Sequence, residues 1–209
     1  MKKNNITKFF LLILPFGLSS CLGAALLLSD KFSGDKYDYT FRLLGDYAKT
    51  DKLFRDGKVE ALFLVGDKDI NFTIQNITTE PMRINWDEAS LIIDGKSRRV
   101  MHKGVKFNDR NSPQAPTVIP SNSQIDDLVL PTDNVSYREG TYSQNSSSPA
   151  SWEQRDLFIT RAFNEEDKRK IMDNKGKIFK FFLPIEQNGQ KLNYTFEFEI
   201  LDISPLKKK

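Results

Sequence analysis

The tightest constraint on the fold lies at the end of the chain. Phe179, Phe181, Leu183 and Ile185 share one side of an extended segment, Asn188-Gly189 follows, and Tyr194, Phe196, Phe198 and Ile200 then alternate with Thr195, Glu197 and Glu199. Successive side chains of a strand point to opposite faces, so this period of two marks two half-buried strands. Asn-Gly tolerates the two positive φ angles of a type I′ turn and joins them as a hairpin. So long an apolar face must be covered by another layer, which commits the chain to packed antiparallel sheet.

The preceding sequence carries the same signal in shorter pieces. Tyr37, Tyr39 and Phe41 alternate with Asp38, Thr40 and Arg42 as a first strand, and Val59–Val65 is a compact apolar run. Ile70, Phe72 and Ile74 form a third strand, and Met82, Ile84 and Trp86 a fourth. Gly45–Lys58 reads as a connection with a turn at Asp56-Gly57. Ser90–Ile93 and Arg98–His102 flank Asp94-Gly95, a second hairpin turn, and short strands follow at Thr117–Ile119 and Gln124–Leu130. Thr132–Ser151 is nearly without aliphatic residues and reads as an exposed, mobile loop at about 132–151. Asn164 caps Glu165-Glu166-Asp167 to start one short surface helix, about 164–173, stopped by Gly176. About eight or nine strands with closely spaced turns predict a mainly β chain, an immunoglobulin-like antiparallel β-sandwich spanning 37–204, with a barrel as the alternative.

A different kind of segment precedes this domain. Lys2, Lys3 and Lys8 are followed by the uncharged, mostly apolar run Phe9–Leu18, then Ser19, Ser20 and the only cysteine. A basic start, an apolar stretch and small residues are the parts of a secretory signal. Leu18-Ser19-Ser20-Cys21 resembles the lipobox of bacterial lipoproteins. The resemblance implies that the leader, 1–20, is removed, that Cys21 receives a diacylglyceryl group and becomes the first mature residue, and that its amine is acylated as well, with palmitate among the acyl chains. Membrane lipid would then be held through acylated Cys21, with 21–36 as a tether. Several acyl chains, at about 0.8 kcal/mol per buried methylene, make a stable anchor. Because apolar character continues through Leu22–Leu28, two other readings stay open: an uncleaved N-terminal transmembrane helix, and an ordinary cleaved signal. All three export the domain. Leu22, in place of Asp, after the cysteine favours the outer membrane if the bacterium is Gram-negative, by analogy with lipoprotein sorting; the expected location is the bacterial cell envelope.

Three of the 31 basic residues precede Cys21 with no acidic residue beside them, and they account for the net charge of +3. The exported part is therefore formally neutral, unlike a nucleic-acid binder. With Cys21 acylated no thiol is left for a disulfide or for thiol catalysis. A catalytic or metal site would have to use the single histidine, His102, with Ser90, Ser97, Asp87 and Asp94 nearby in sequence. No G-x-S-x-G elbow occurs, and one His without Cys is a poor zinc set, so His102 reads as a half-exposed residue at a strand end and neither metal nor cofactor is expected. Asp126 and Asp127 point to opposite faces if extended, and Asn108–Ser112 lacks the order of a calcium loop.

Two interaction surfaces stand out instead. Lys96, Arg98, Arg99, Lys103 and Lys106, with Arg110 beyond, form a basic stretch suited to an acidic partner or lipid headgroups, or simply a solvated face. Tyr137, Tyr142 and Trp152 bracket the Ser-rich loop, where aromatic rings stack on sugars or partners, or pin the loop to the body. Asn71, Asn76, Asn134, Asn145 and Asn193 each sit in an N-x-S/T triplet. The run Ile84–Glu88, Asp94–Val100 with His102, and Val118-Ile119-Pro120 resembles bacterial lipoproteins of unassigned activity that carry an immunoglobulin-like exported domain, over roughly Lys58–Ile203. The resemblance implies architecture and location only. The expectation is a membrane-anchored envelope lipoprotein, a non-enzymatic module for binding or assembly with an envelope protein or glycan. A carbohydrate- or envelope-polymer-binding module is the alternative, and a hydrolase using His102 ranks below it.

Overall fold

The computed structural model describes residues 34–143 and 146–206. The leader, Cys21, most of the tether, Asn145 and Lys207–Lys209 lie outside the described residues. The elements run β1 (Asp35–Leu44), β2 (Leu53–Arg55), β3 (Val59–Val65), β4 (Ile70–Asn76), β5 (Met82–Ile84), β6 (Ser90–Ile93), β7 (Lys96–His102), β8 (Thr117–Ile119) and β9 (Gln124–Pro131). They continue with β10 (Val135–Arg138), β11 (Thr141–Ser143), β12 (Ser146–Ser148), β13 (Ser151–Gln154), β14 (Arg161–Ala162), helix α1 (Glu165–Met172), β15 (Ile178–Gln187) and β16 (Gln190–Pro205). Among the described residues no helix is long and apolar enough to cross a membrane.

One antiparallel sheet follows the path β14-β1-β16-β15-β6-β7-β9-β4-β3-β2, with β5 attached to β15 and β8 to β5. The chain is mainly β with one short helix, as expected, but the expected sandwich of two separate sheets is corrected to a single, strongly curled half-barrel. Phe63 on β3 and Phe196 on β16 are six strands apart along this path, yet their ring centroids are 4.6 Å apart. In a flat sheet six strand spacings would separate them by about 29 Å. The bend passes through β7, which pairs with β6 through Lys96–Arg99 and with β9 through Val100–His102. Val100 and Met101, successive residues pointing opposite ways, are both buried, so the corner strand is covered on both faces. The register shift between β1 and β16 at Thr40/Phe41 adds local bend and twist.

The alternation read from the sequence decides which side turns inward. Phe179, Phe181, Leu183 and Ile185 of β15 and Phe196, Phe198 and Ile200 of β16 are buried. They meet Phe63 and Phe72 from the opposite arm of the curl; Phe63 to Phe198 is 5.3 Å and Phe72 to Phe181 5.6 Å. The outward positions carry charges that pair across strands, Arg42 with Glu199 at 2.6 Å and Lys180 with Glu197 at 2.5 Å. The curl nearly closes. Leu43 N–H donates to Asp51 O at 2.8 Å and Phe63 N–H to Lys52 O at 2.9 Å, so the segment before β2 bridges β1 and β3. Beside that bridge a gap of about 250 Å³ remains, lined by Tyr39, Phe41, Phe63 and Phe198 among others.

Local signals account for most boundaries. Asp94 (φ 51°) with Gly95 (φ 72°), and Asn188 (φ 51°) with Gly189 (φ 73°), turn the two predicted hairpins in the left-handed region. Asn164 Oδ1 accepts from Asp167 N–H at 2.8 Å, capping α1. Two expectations are corrected. The 45–58 connection contains β2, and the expected loop at 132–151 holds a 3₁₀ turn at Thr132–Asn134 and two small hairpins, β10–β13 and β11–β12. The small hairpins lack aliphatic periodicity because most of their residues are exposed, and β2, with Phe54 packed on Phe196, is only three residues long, too short to write a pattern.

Candidate functional site

An open cleft of about 690 Å³ is lined by Arg98, Asp133, Asn134 and the run Arg155–Arg161 with Phe163. It is built on a buried amide. Asn134, in the turn after β9, is 3% exposed and its Nδ2 donates to the carbonyls of Arg155 (3.4 Å) and Asp156 (3.2 Å). Arg155 N–H returns a bond to Asn134 O at 2.8 Å. The segment is then fixed to the body: Leu157 N–H donates to Asp67 O at 2.7 Å, and Tyr37 N–H to Thr160 O at 2.8 Å. Phe158 packs into the aromatic core against Tyr39, Phe41 and Phe179. Tyr39 Oη donates to Ile159 O at 2.7 Å; burial pushes its phenol up from the ordinary value, opposed by the hydrogen bond from Asn174.

On this rigid backbone the outward side chains are Arg155, Ile159, Arg161 and Phe163, with Arg98 arriving from β7. Arg98 is held loosely, its Nη1 3.4 Å from Asn134 Oδ1 and its Nε 3.9 Å from Asp133 Oδ2. Arg155 Nη2 donates to Asp133 O, and Asp156 accepts from Thr160 Oγ1. Three guanidiniums thus stand against two carboxylates, beside exposed Ile159 (51%) and Phe163 (65%). Guanidinium forks suit the planar oxygens of carboxylate or phosphate.

The basic stretch read from the sequence is dispersed. Lys96 is exposed at the β6–β7 turn, Arg98 enters the cleft, and Lys103 and Lys106 are exposed beyond the far end of β7. Arg99 leaves in another direction, donating to Asp87 Oδ1 (2.7 Å), Asn111 O (2.6 Å) and Ser112 O (2.6 Å), and so ties down the following loop. The structure therefore assembles no single patch from these five. Arg155, Arg161 and Phe163, which the sequence reading did not select, sit in a segment without periodicity; only their chemistry could have marked them.

The aromatic trio also divides. Tyr137 and Trp152 are partners in the β10–β13 register with centroids 5.2 Å apart. Trp152 lies 5.9 Å from Phe107 and under the Arg110 guanidinium at 5.1 Å, packed on the small cluster of Met101, Leu130 and Val135. It pins the hairpin to the body. Tyr137 (54%) and Tyr142 (82%) stay exposed.

His102 lies at the strand end, though with its side chain only 15% exposed. Its ring stacks 4.3 Å from buried Trp86 at an angle of 5°, and Nδ1 is 3.2 Å from Asp127 Oδ2. Asp127 Oδ1 also accepts from Lys103 and Leu128 N–H, both at 2.8 Å. Asp126 faces away and accepts from Thr73 Oγ1 at 2.6 Å, as its alternation with Asp127 requires. Asp127 bonds the His102 ring, and the Gln114 side chain accepts from His102 N–H at 3.2 Å. Among the described residues no group of three or more His, Cys, Asp or Glu is placed to hold a metal ion. Two of the N-x-S/T asparagines are structural: Asn76 is fully buried, donating to Glu80, Ile119 and Pro120 carbonyls, and Asn134 builds the cleft. Comparisons of the chain with protein-family models, curated proteins and solved structures give no match.

Proposed function

We propose that this chain is an exported envelope lipoprotein, tethered to membrane lipid through acylated Cys21, whose half-barrel domain is a non-enzymatic binding or assembly module. The observation that carries the binding part is the arginine cleft. Arg155, Ile159, Arg161 and Phe163 of one segment meet Arg98 from β7 on backbone held by the buried Asn134, and such preorganisation favours recognition. The lipobox-like run and its basic, apolar leader carry the anchoring part. Labelling with palmitate and membrane fractionation test it: wild type incorporates label and sediments with membranes, while Cys21→Ala that still does both overturns the anchor. In-cell photo-crosslinking from position 159 tests the cleft, with a discrete adduct expected.

A glycan-binding reading has its own support in exposed Tyr137 beside Trp152. Pull-down on peptidoglycan with Tyr137→Ala separates it, since that side chain is exposed whereas Trp152 also holds the hairpin in place. Retention of wild type and loss of the variant would favour the glycan.

A further inference from the structure

We infer that the end of the domain where the tether joins docks on an anionic bilayer surface, with Phe163 and Ile159 entering the headgroup region and the arginines of the cleft contacting lipid phosphates. The inference rests on the anchoring reading and names the ligand class of the same cleft.

Chain connectivity places these residues together. The folded domain starts at Asp35, and the first two residues of β1 pair with β14, Asp35 with Ala162 and Lys36 with Arg161. Arg161 and Phe163 therefore sit where the tether enters. The end of β16 lies there too, since Leu206 N–H donates to Lys36 O at 2.8 Å, and Leu206 is 43% exposed. Three exposed large apolar side chains, Ile159, Phe163 and Leu206, thus share this end with Arg98, Arg155 and Arg161.

Phe163 is 65% exposed and stands outside the aromatic core of the described residues. It precedes the α1 cap Asn164, where an apolar residue packs against the fourth helical residue as a staple, but that residue is Lys168. Of the acidic groups nearby, Glu165 faces Lys168 at 3.6 Å, Glu166 faces Lys170 at 2.8 Å and Asp67 pairs with Lys36 at 2.7 Å, while Asp156 accepts from Thr160 Oγ1, Asp167 accepts from Phe163 N–H and Asp133 stands 3.9 Å from Arg98 Nε. An apolar pair flanked by arginines matches the boundary between acyl chains and anionic headgroups.

Geometry favours the bilayer as occupant. From Cys21 to Asp35 the chain spans at most about 50 Å, so the domain stays close to its membrane. A short linker raises the effective concentration of the surface into the millimolar range, which populates a contact too weak to hold a free domain.

The test uses the full lipidated chain in vesicles, with one fluorescent thiol probe at Phe163→Cys or, as control, at Asp46→Cys. Asp46 follows Leu44, the far end of β1, which lies about 30 Å from Asp35 at ordinary strand rise. Headgroup-nitroxide lipid is expected to quench the 163 probe about threefold more than the 46 probe when phosphatidylglycerol is present, and the difference should fall by about half in phosphatidylcholine alone or in high salt. Equal quenching at both positions, or quenching indifferent to lipid charge and salt, overturns the docking. The mass of the mature N-terminus, read on the same sample, reports acylation separately, so a failed anchor is distinguished from a failed docking surface.

Discussion

At the residue scale, polar groups on the inner face of the curl are used in pairs. Asp127 lies opposite Phe72 in the β4–β9 register and its side chain is 8% exposed, so without partners it would be a buried charge. His102 and two backbone N–H groups satisfy it, and Trp86 covers the ring. His102→Ala should cost about 1–3 kcal/mol in urea unfolding, the penalty of a buried acceptor losing a partner. A variant as stable as wild type but with a defective envelope phenotype would revive a catalytic role for this histidine. Asp69 gives a pH signature. Burial holds its carboxyl above the ordinary 3.8, opposed by the Asn71 hydrogen bond. A raised folded value means the native state binds the proton more readily, so stability falls as pH rises from about the ordinary value through the folded one. Asp69→Asn keeps an oxygen for Asn71 and should be more stable than wild type at neutral pH, with the gain vanishing near pH 3. Chemical denaturation at both pH values checks this; a gain of equal size at both would locate the effect elsewhere.

At the scale of elements, turns and caps set boundaries while buried faces set lengths. The closing hairpin pairs in unbroken register from Ile178 with Glu199 to Gln187 with Gln190, and Asn188 at positive φ keeps that register. Asn188→Ala places a Cβ residue without the local hydrogen bonding of Asn in the left-handed region and should cost about 1 kcal/mol. Thermal unfolding measures it, and no change in midpoint would mean the turn had re-formed in another type. Both hairpin turns and the helix cap were legible in sequence because each depends on two to four neighbouring residues. β2 and the two small hairpins were not, since β2 is only three residues long and the mostly exposed positions of the hairpins leave no periodicity. Tyr194 shows an element held from outside its sheet neighbours: its hydroxyl donates to Asp56 Oδ2 at 3.1 Å, and burial together with that carboxylate pushes the phenol far above its ordinary value.

At the scale of the molecule, curling one sheet makes a single core from distant strands. Phe63 touches Phe72 on its own arm and Phe196 and Phe198 on the other. Phe63→Ala should cost about 3–5 kcal/mol, a large part of the stability of a domain this size. Because β7 belongs to both arms, loss of one arm exposes the other. Tryptophan fluorescence and far-ultraviolet circular dichroism should therefore report coincident transitions. Separated transitions would show that the arms unfold independently.

The sequence by itself determined the β class, the inward-facing residues of the long strands, the two hairpin turns and the helix with its cap, because each is written in contacts between near neighbours or in a period of two. The lipobox-like run, for the same reason, could be read as a local pattern. Only tertiary structure decided that the strands join into one curled sheet, since alternation says which face is buried and not what covers it. The cleft was likewise decided there. Arg98, Asn134 and Arg161 are far apart along the chain, and their meeting depends on the bend at β7 and on one buried amide, neither of which leaves a periodic trace.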